Sequence, residues 1–221
     1  MRKIILLLAL LFVGADIAQA QMLSRTKIGV FAKPANSWLR AENPAIDGEM
    51  DMAWSIGLVC DQPFGSRYFI STGVEYMKVI SDMQVFESGF NDLTDMKFDL
   101  GYITVPIGFK GRTRELINYF SIFGGAGVTA AILVDGRYSK NAPIGEEIIN
   151  ARIKDVVSPY AGAWYLEAGI EYETVSSTVF FIAARYDRSF TKVLEASVLN
   201  LDTDDNKVTY GHMGFRCGLF F

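Results

Sequence analysis

The stretch VTYGHMGFRCGLFF, residues 208–221, decides the fold, because apolar residues alternate along it up to the final phenylalanine. One face holds only apolar side chains, at Met213, Phe215, Cys217, Leu219 and Phe221. The opposite face carries His212, Arg216 and glycines. A period of two residues is typical of a β-strand and not of a helix. The sequence therefore predicts a terminal strand whose apolar face contacts either lipid or a protein core.

The same alternation recurs along the chain, and no linker or internal repeat divides it. It predicts eight strands, at about 26–32, 52–60, 68–80, 97–110, 118–134, 158–173, 178–191 and 207–221. Long connections at 33–51, 81–96, 135–157 and 192–206 alternate with short ones at 61–67, 111–117 and 174–177. This layout is typical of an all-β, eight-stranded antiparallel up-and-down transmembrane β-barrel of the outer membrane. Both termini are then expected on the short-turn, periplasmic side.

Residues 1–20 have the features of a secretory signal peptide. Arg2 and Lys3 precede an apolar run at 4–13, and Ala18 and Ala20 form a small-residue cleavage site. The apolar run is too short for the roughly 20 residues that a spanning helix needs. An uncleaved anchor is the alternative. We therefore expect residues 21–221 to form one outer-membrane β-barrel domain.

Charged residues within the strands indicate which face meets lipid. Turned outward, basic side chains would cost about 2–4 kcal/mol each in hydrocarbon, and acidic ones less. We therefore predict that they point into the lumen, which in an eight-stranded barrel is only wide enough for side chains. The predicted lumen charge network consists of Glu75, Glu167, Glu171, Arg185 and Arg216, with Tyr165 and His212 nearby. Such a network fits either a structural plug or a gate in a narrow pore.

Composition and motifs argue against several function classes. The formal net charge of −4 gives no reason to expect nucleic acid as a partner. With a single histidine, and without a metal-binding cluster, phosphate loop or nucleophile elbow, we expect no enzyme and no cofactor. Some eight-stranded barrels modify lipid A with serine, histidine and carboxylate. Here His212 shares its face with Arg216 and has no serine near it in sequence.

Three local features give further expectations. Cys60 and Cys217 fall on predicted strands that a third strand separates, so no disulfide is expected between them. Aromatic residues near strand ends are expected in girdles, namely Tyr68, Tyr76, Tyr102, Tyr160, Trp164, Tyr172 and Tyr186. Pro106 cannot donate a hydrogen bond to a ladder, which predicts a bulge at 104–107.

Two stretches resemble a known family. YITVPIGFKGRTREL (102–116) resembles the strand-and-turn signature of the PorT-like and porin-like outer-membrane β-barrel proteins of Bacteroidetes. FSIFGGAGVTAAIL (120–133) resembles the glycine-rich strand that follows. Thr104 stands where many relatives carry glutamate, so no role of that carboxylate is transferred. The resemblance implies either a structural or pore-like barrel or an accessory in protein export of the type IX kind.

The expected partners follow from this class of protein. Phe215, Leu219 and Phe221 look like the terminal signal that the outer-membrane insertion machinery reads. Outer-membrane lipid and lipopolysaccharide are the other expected partners, with a secretion complex for the export branch. The acidic long connections suit ions that bridge lipopolysaccharide or contact with a protein, and solvation explains them equally well. A soluble periplasmic ligand-binding barrel remains an alternative that requires apolar faces turned inward.

Overall fold

A computed structural model describes residues 26–41, 48–86, 93–116, 119–141, 148–152, 157–175, 177–194 and 208–221. The described residues form nine strands: β1 (Lys27–Ala41), β2 (Gly48–Pro63), β3 (Tyr68–Phe86), β4 (Leu93–Arg112), β5 (Phe120–Asn141), β6 (Ile148–Arg152), β7 (Tyr160–Glu173), β8 (Val179–Ser189) and β9 (Val208–Phe220). Among these residues, no helix has the length and apolar character of a membrane span. The signal peptide predicted at 1–20 lies outside the described residues.

The strands close into a barrel in chain order. Each pairs antiparallel with its neighbours, and the seam joins β1 to β9, with Gly29 opposite Phe220. β6 pairs with the part of β5 beyond the section that pairs with β7, so β6 and β7 fill one place in the barrel. The predicted all-β, eight-stranded antiparallel barrel is therefore confirmed.

The two ends of the barrel differ. Lys27 begins β1 and Phe220 ends β9 at the same end, which also holds the connections after Pro63, Arg112 and Glu173. We call it the turn end, and the opposite end the loop end. The described chain thus enters and leaves the barrel at the turn end.

Three loop-end connections are shorter than the sequence predicts, because β5 also runs to Asn141 within the connection predicted at 135–157, where β6 lies as well. β1 continues to Ala41 and β2 begins at Gly48, so the long connection predicted at 33–51 is wrong. The same is true of 81–96, because β3 runs to Phe86 and β4 begins at Leu93. The prediction assigned the charged residues Lys33 and Asp82 to loops, whereas the strands continue through them.

The outward face of the barrel is apolar over a broad band. About half of the surface of its aliphatic and aromatic side chains is exposed, as at Val30, Ile56, Leu58, Ile70, Val74, Ile107, Phe109, Val128, Leu166, Ile170, Ile182 and Phe215. A soluble ligand-binding barrel would need these side chains in its interior. That alternative is therefore wrong, and the band has the surface that a bilayer requires.

Aromatic pairs border this band at both ends. Near the loop end the rings of Trp54 and Tyr76 have centroids 5.6 Å apart, and near the turn end those of Phe120 and Tyr172 are 4.8 Å apart. Tyr102, which the sequence assigned to a girdle, is fully buried in the lumen. Its place in the alternation of β4 faces inward, so its position near a predicted strand end was misleading.

Beyond the loop-end aromatic residues the polarity of the strands inverts. Along β3 the outward residues change from Ile70 and Val74 to Lys78 and Asp82, whereas the inward ones change from Glu75 to methionine and valine. We call this section the collar and define it by the outward residues Asp51, Lys78, Asp82, Lys97, Asp99, Asp135 and Arg137. A charged exterior around an apolar interior is the pattern of a β-structure that stands in water.

The bulge predicted at 104–107 is wrong. β4 pairs with β5 in unbroken register from Tyr102 to Arg112, with Pro106 opposite Thr129. On the other side, β3 keeps one register before and after Pro106, and Thr72 Oγ1 donates a hydrogen bond of 3.0 Å to the Pro106 carbonyl oxygen. The proline therefore interrupts the ladder without an inserted residue. The register between β4 and β5 shifts instead beside Tyr102.

The two cysteines lie on β2 and β9, and β1 separates these strands as predicted. Both thiols are free, with Cys60 half-buried and Cys217 exposed on the outward face.

Candidate functional site

The inward side chains form four layers between the loop end and the turn end. The loop-end plug is apolar, and its fully buried members include Leu39, Val79, Met83, Phe98, Leu100, Tyr102, Leu194 and Tyr210. Below it, the central network consists of Lys33, Glu75, Glu167, Arg185, Asp187 and Arg216. The phenylalanine layer consists of Phe31, Val59, Phe123, Val179, Phe181, Ala183 and Phe220. The turn-end network consists of Lys27, Asp61, Lys110, Arg112, Glu171 and Glu173.

The loop-end plug fills the barrel where the exterior is charged. Tyr102 and Tyr210 meet across it, with ring centroids 5.9 Å apart. Leu194, which follows β8, forms isolated bridges with Val157 and Val208 and so carries the chain inward at this end. The plug therefore closes the loop end of the lumen with apolar side chains from several strands.

The central network contains equal numbers of basic and acidic side chains, all buried. Lys33 Nζ lies 3.0 Å from Glu75 Oε1 and 2.9 Å from Asp187 Oδ2, so this single ammonium group joins β1 to β3 and β8. Arg216 NH1 lies 3.1 Å from Glu167 Oε2. Charges removed from water require such partners, because the Coulombic attraction must offset the cost of dehydration.

Arg185 connects the two halves of the central network. Its Nε and NH2 groups both donate to Asp187 Oδ1, at 2.9 and 2.8 Å, while Glu75 and Glu167 lie 4.0 Å away. The guanidinium carbon also lies 3.9 Å from the centre of the Tyr165 ring. Because Glu167 and Arg185 are directly opposite in the β7–β8 ladder, the strand register itself brings them together.

Glycines of β4 and β5 make room for Tyr165. A β-carbon at Gly127 would lie 2.7 Å from Cε1 of Tyr165, and one at Gly108 would meet the same ring. Gly127 is the direct partner of Tyr165 in the β5–β7 ladder, so the ring lies over β5 and reaches Gly108 on β4. This packing explains the glycines at 108 and 127.

His212 lies beside the central network and is completely buried. Its Nδ1 is 3.9 Å from Asp187 Oδ2, which is beyond hydrogen-bond distance. Neither ring nitrogen has a hydrogen-bond partner among the described residues. The arrangement holds no nucleophile activated by this imidazole.

The turn-end network lies on the other side of the phenylalanine layer. Lys110 bridges Asp61, at 2.6 Å, and Glu171, and its Nζ lies 4.3 Å from the centre of the Phe123 ring. Arg112 NH1 binds Glu171 at 3.3 Å and Glu173 at 3.2 Å. The barrel thus carries two separate charge clusters, of which the central one is buried and the turn-end one is partly exposed at Lys27, Arg112 and Glu173.

The structure brings four of the five residues of the predicted lumen network together. Glu75, Glu167, Arg185 and Arg216 belong to the central network, whereas Glu171 belongs to the turn-end network. Sequence reasoning missed Lys33 because it placed this residue in a predicted loop. Asp187 was also left out of the predicted network, although it lies on the same face of β8 as Arg185. The terminal residues Phe215, Leu219 and Phe221 lie on the outward face of the last strand.

No group of three or more histidine, cysteine, aspartate or glutamate residues within the described ranges is arranged to hold a metal ion. The chemistry of the lumen is therefore that of paired charges and aromatic packing.

The family model described as "Outer membrane protein beta-barrel domain" matches residues 18–195, which is most of the chain. The chain belongs to this family, and the outer membrane is its location. No curated protein matches the chain.

Several solved structures are similar to this chain. Ail, the attachment invasion locus protein of Yersinia pestis, is 16% identical with a TM-score of 0.40, covering 87% of this chain and 97% of that chain. OprG from Pseudomonas aeruginosa is 14% identical with a TM-score of 0.44, covering 87% and 94%. A major outer membrane protein from Thermus thermophilus is 10% identical with a TM-score of 0.47, covering 88% and 99%.

Proposed function

We propose that this protein is an outer-membrane barrel with a closed lumen, whose role is structural or interactive and not transport or catalysis. The observation that carries the proposal is the filling of the lumen. Phe98, Leu100 and Tyr102 have no exposed surface in the loop-end plug, and the central network below it is buried and balanced in charge. A solute would have to separate both layers to cross.

Conductance tests this proposal. We expect no discrete current steps when the purified, folded protein is added to planar lipid bilayers, because no water-filled path crosses the plug. A large porin inserted in the same bilayer serves as the positive control. Stable ohmic steps from the wild-type barrel at low voltage would contradict the closed lumen and favour the narrow pore.

The collar is the surface that an interaction role would use. Its ion pairs lie on the outside of the barrel, for example between Lys97 and Asp51 at 2.9 Å, on strands that extend beyond the apolar band. Such a polar rim suits contact with lipopolysaccharide headgroups or a protein partner. This supports placing the loop end at the cell surface and both termini in the periplasm.

The resemblance at 102–116 implies an accessory role in protein export, which is a more specific version of the proposed interaction role. It requires a stable complex with a secretion apparatus through a surface of this kind. Co-purification with a large translocon after mild solubilisation is the expected result for that branch, and a barrel that purifies alone would leave the structural role.

A further inference from the structure

An open cavity of about 400 Å³ lies at the turn end, between the β2–β3 and β4–β5 connections. Arg67, Arg112 and Arg114 line it, together with the hydroxyl residues Ser66, Thr113 and Ser121. Its volume is within the range of about 300–1,000 Å³ typical of ligand sites. Neither the central network nor the plug contributes to it, and it shares only Arg112 with the turn-end network.

The cavity has more positive charge than its surroundings neutralise. Arg67 and Arg114 are exposed, and neither forms an ion pair with a residue that the structure describes. Arg112 uses NH1 to bind Glu171 and Glu173, within a turn-end network that is balanced in charge. Glu115 supplies the carboxylate in the lining. Two unpaired guanidinium groups against one carboxylate leave a site that attracts an anion.

Hydrogen bonds of the backbone join the two connections that line the cavity. The N–H of Arg112 donates to the Arg67 carbonyl oxygen at 2.8 Å, which ties the two connections together. Thr113 Oγ1 accepts a bond of 3.0 Å from the N–H of Ile122, so its own hydroxyl hydrogen is free to donate elsewhere. Guanidinium and hydroxyl donors are the groups that recognise phosphate oxygens.

An aromatic surface adjoins the cavity on the outside of the same two connections. Phe64, Tyr68 and Phe109 contact one another, with ring centroids 5.2 to 6.1 Å apart, and all three are exposed. They lie at the border of the apolar band, where lipid acyl chains begin. A ligand that fits both the cavity and the aromatic surface carries a phosphate group attached to hydrocarbon chains.

We propose that this turn-end cavity binds the phosphate group of a membrane phospholipid, with Arg67 and Arg114 as its main ligands and the aromatic surface against the acyl chains. Free inorganic phosphate shares this chemistry but lacks the apolar part. The proposal is independent of whether the lumen is closed.

Lipid retention in native mass spectrometry tests the proposal on the folded barrel in a neutral detergent. Phosphatidylglycerol is titrated against the wild type, against the Arg67→Gln/Arg114→Gln variant and against the Arg40→Gln/Arg188→Gln control. The control removes the same charge at the loop end. A heat-dependent shift in gel mobility verifies that each variant is folded. Diacylglycerol with the same chains and inorganic phosphate are the remaining probes.

We expect the cavity variant to bind phosphatidylglycerol at least about tenfold more weakly than the wild type, a loss of about 1.4 kcal/mol, because it lacks two charged hydrogen-bond donors to the phosphate. The control should match the wild type, and diacylglycerol should not be retained. Equal retention by the cavity variant, or equal retention of diacylglycerol, would overturn the proposal. So would inorganic phosphate binding as tightly as the lipid, which would assign the cavity to the free anion.

Discussion

Arg185 is the residue on which the central network depends most. It binds Asp187 through two nitrogens, lies near Glu75 and Glu167, and packs against the Tyr165 ring. Removing one member of a buried ionic group leaves its partners charged and dehydrated. The role of the residue is therefore to neutralise carboxylates that cannot reach water.

We expect Arg185→Ala to lower the free energy of unfolding by about 3–5 kcal/mol, the usual cost of breaking a buried ion pair. Denaturant unfolding in lipid vesicles, followed by tryptophan fluorescence, measures the change. Arg188→Ala on the same strand, half-exposed, is the matched control and should change little. Equal midpoints for the two variants would show that Arg185 does not hold the network.

The neutrality of the central network gives a second prediction. Lys33→Met removes one positive charge and leaves Glu75 and Asp187 without their shared ammonium partner. Adding Glu75→Gln removes one negative charge and restores the charge balance. The double variant should therefore be more stable than Lys33→Met alone, with a coupling energy of roughly 1–3 kcal/mol.

A matched pair in the collar serves as the control for this cycle. Lys97→Met and Asp51→Asn remove an ion pair of 2.9 Å that is partly exposed to solvent. Their coupling should be below about 1 kcal/mol, because water screens such pairs. Additive losses at Lys33 and Glu75 would argue against a charge-balanced network.

At the level of the strand, Phe221 follows β9 and extends its seam with β1. The N–H of Phe221 donates a hydrogen bond of 2.9 Å to the Ile28 carbonyl oxygen, while its side chain is 69% exposed on the outside. The backbone thus completes the seam, and the side chain remains available for recognition during assembly.

Phe221→Ala should therefore reduce the rate of insertion and leave the stability of the inserted barrel nearly unchanged. Pulse labelling in cells, with the heat-shifted gel band as the measure of folded protein, gives the rate. Phe64→Ala, another exposed aromatic residue at the turn end, is the control. If both variants insert at the wild-type rate, Phe221 is not a signal for the insertion machinery.

Strand number and facing were predictable from the sequence, but strand length was not. Alternation identifies β3 from Ile70 to Val74 because lipid on one side and lumen on the other give opposite polarities. Past Tyr76 the outward side of the strand faces water and the inward side faces the apolar plug. The alternation continues, but its polar residues now lie on the outward face. The predicted strand at 68–80 accordingly stops short of the observed end at Phe86.

At the level of the whole molecule, the sequence predicted which charges face inward but not how they divide. Glu167 and Glu171 lie on the same face of β7, and nothing local separates them. The phenylalanine layer that lies between their two clusters comes from strands distant in the chain. Which charged side chains pair with one another therefore depends on the register between the strands of the barrel. A single sequence does not give that register.

Orientation in the membrane is testable with single cysteines in a Cys60→Ser/Cys217→Ser background. Asp99→Cys in the collar should react with a membrane-impermeant maleimide in intact cells, because we place the loop end outside. Ser66→Cys at the turn end should react only after the outer membrane is permeabilised. The reverse pattern would invert the barrel and contradict periplasmic termini.

The charges of the collar also affect the insertion of the barrel into the membrane. If the loop end lies outside, as we propose, it leads when the barrel enters from the periplasm, and the collar must cross the hydrocarbon before it emerges. Its four aspartates and three basic residues all have an oppositely charged neighbour within 3.8 Å. The collar can therefore cross the bilayer as a set of ion pairs with nearly balanced charge. Ion pairs are dehydrated at lower cost than free ions are. The paired charges of the collar would then lower the cost of inserting the barrel. Only after the collar has emerged would they be available to a partner.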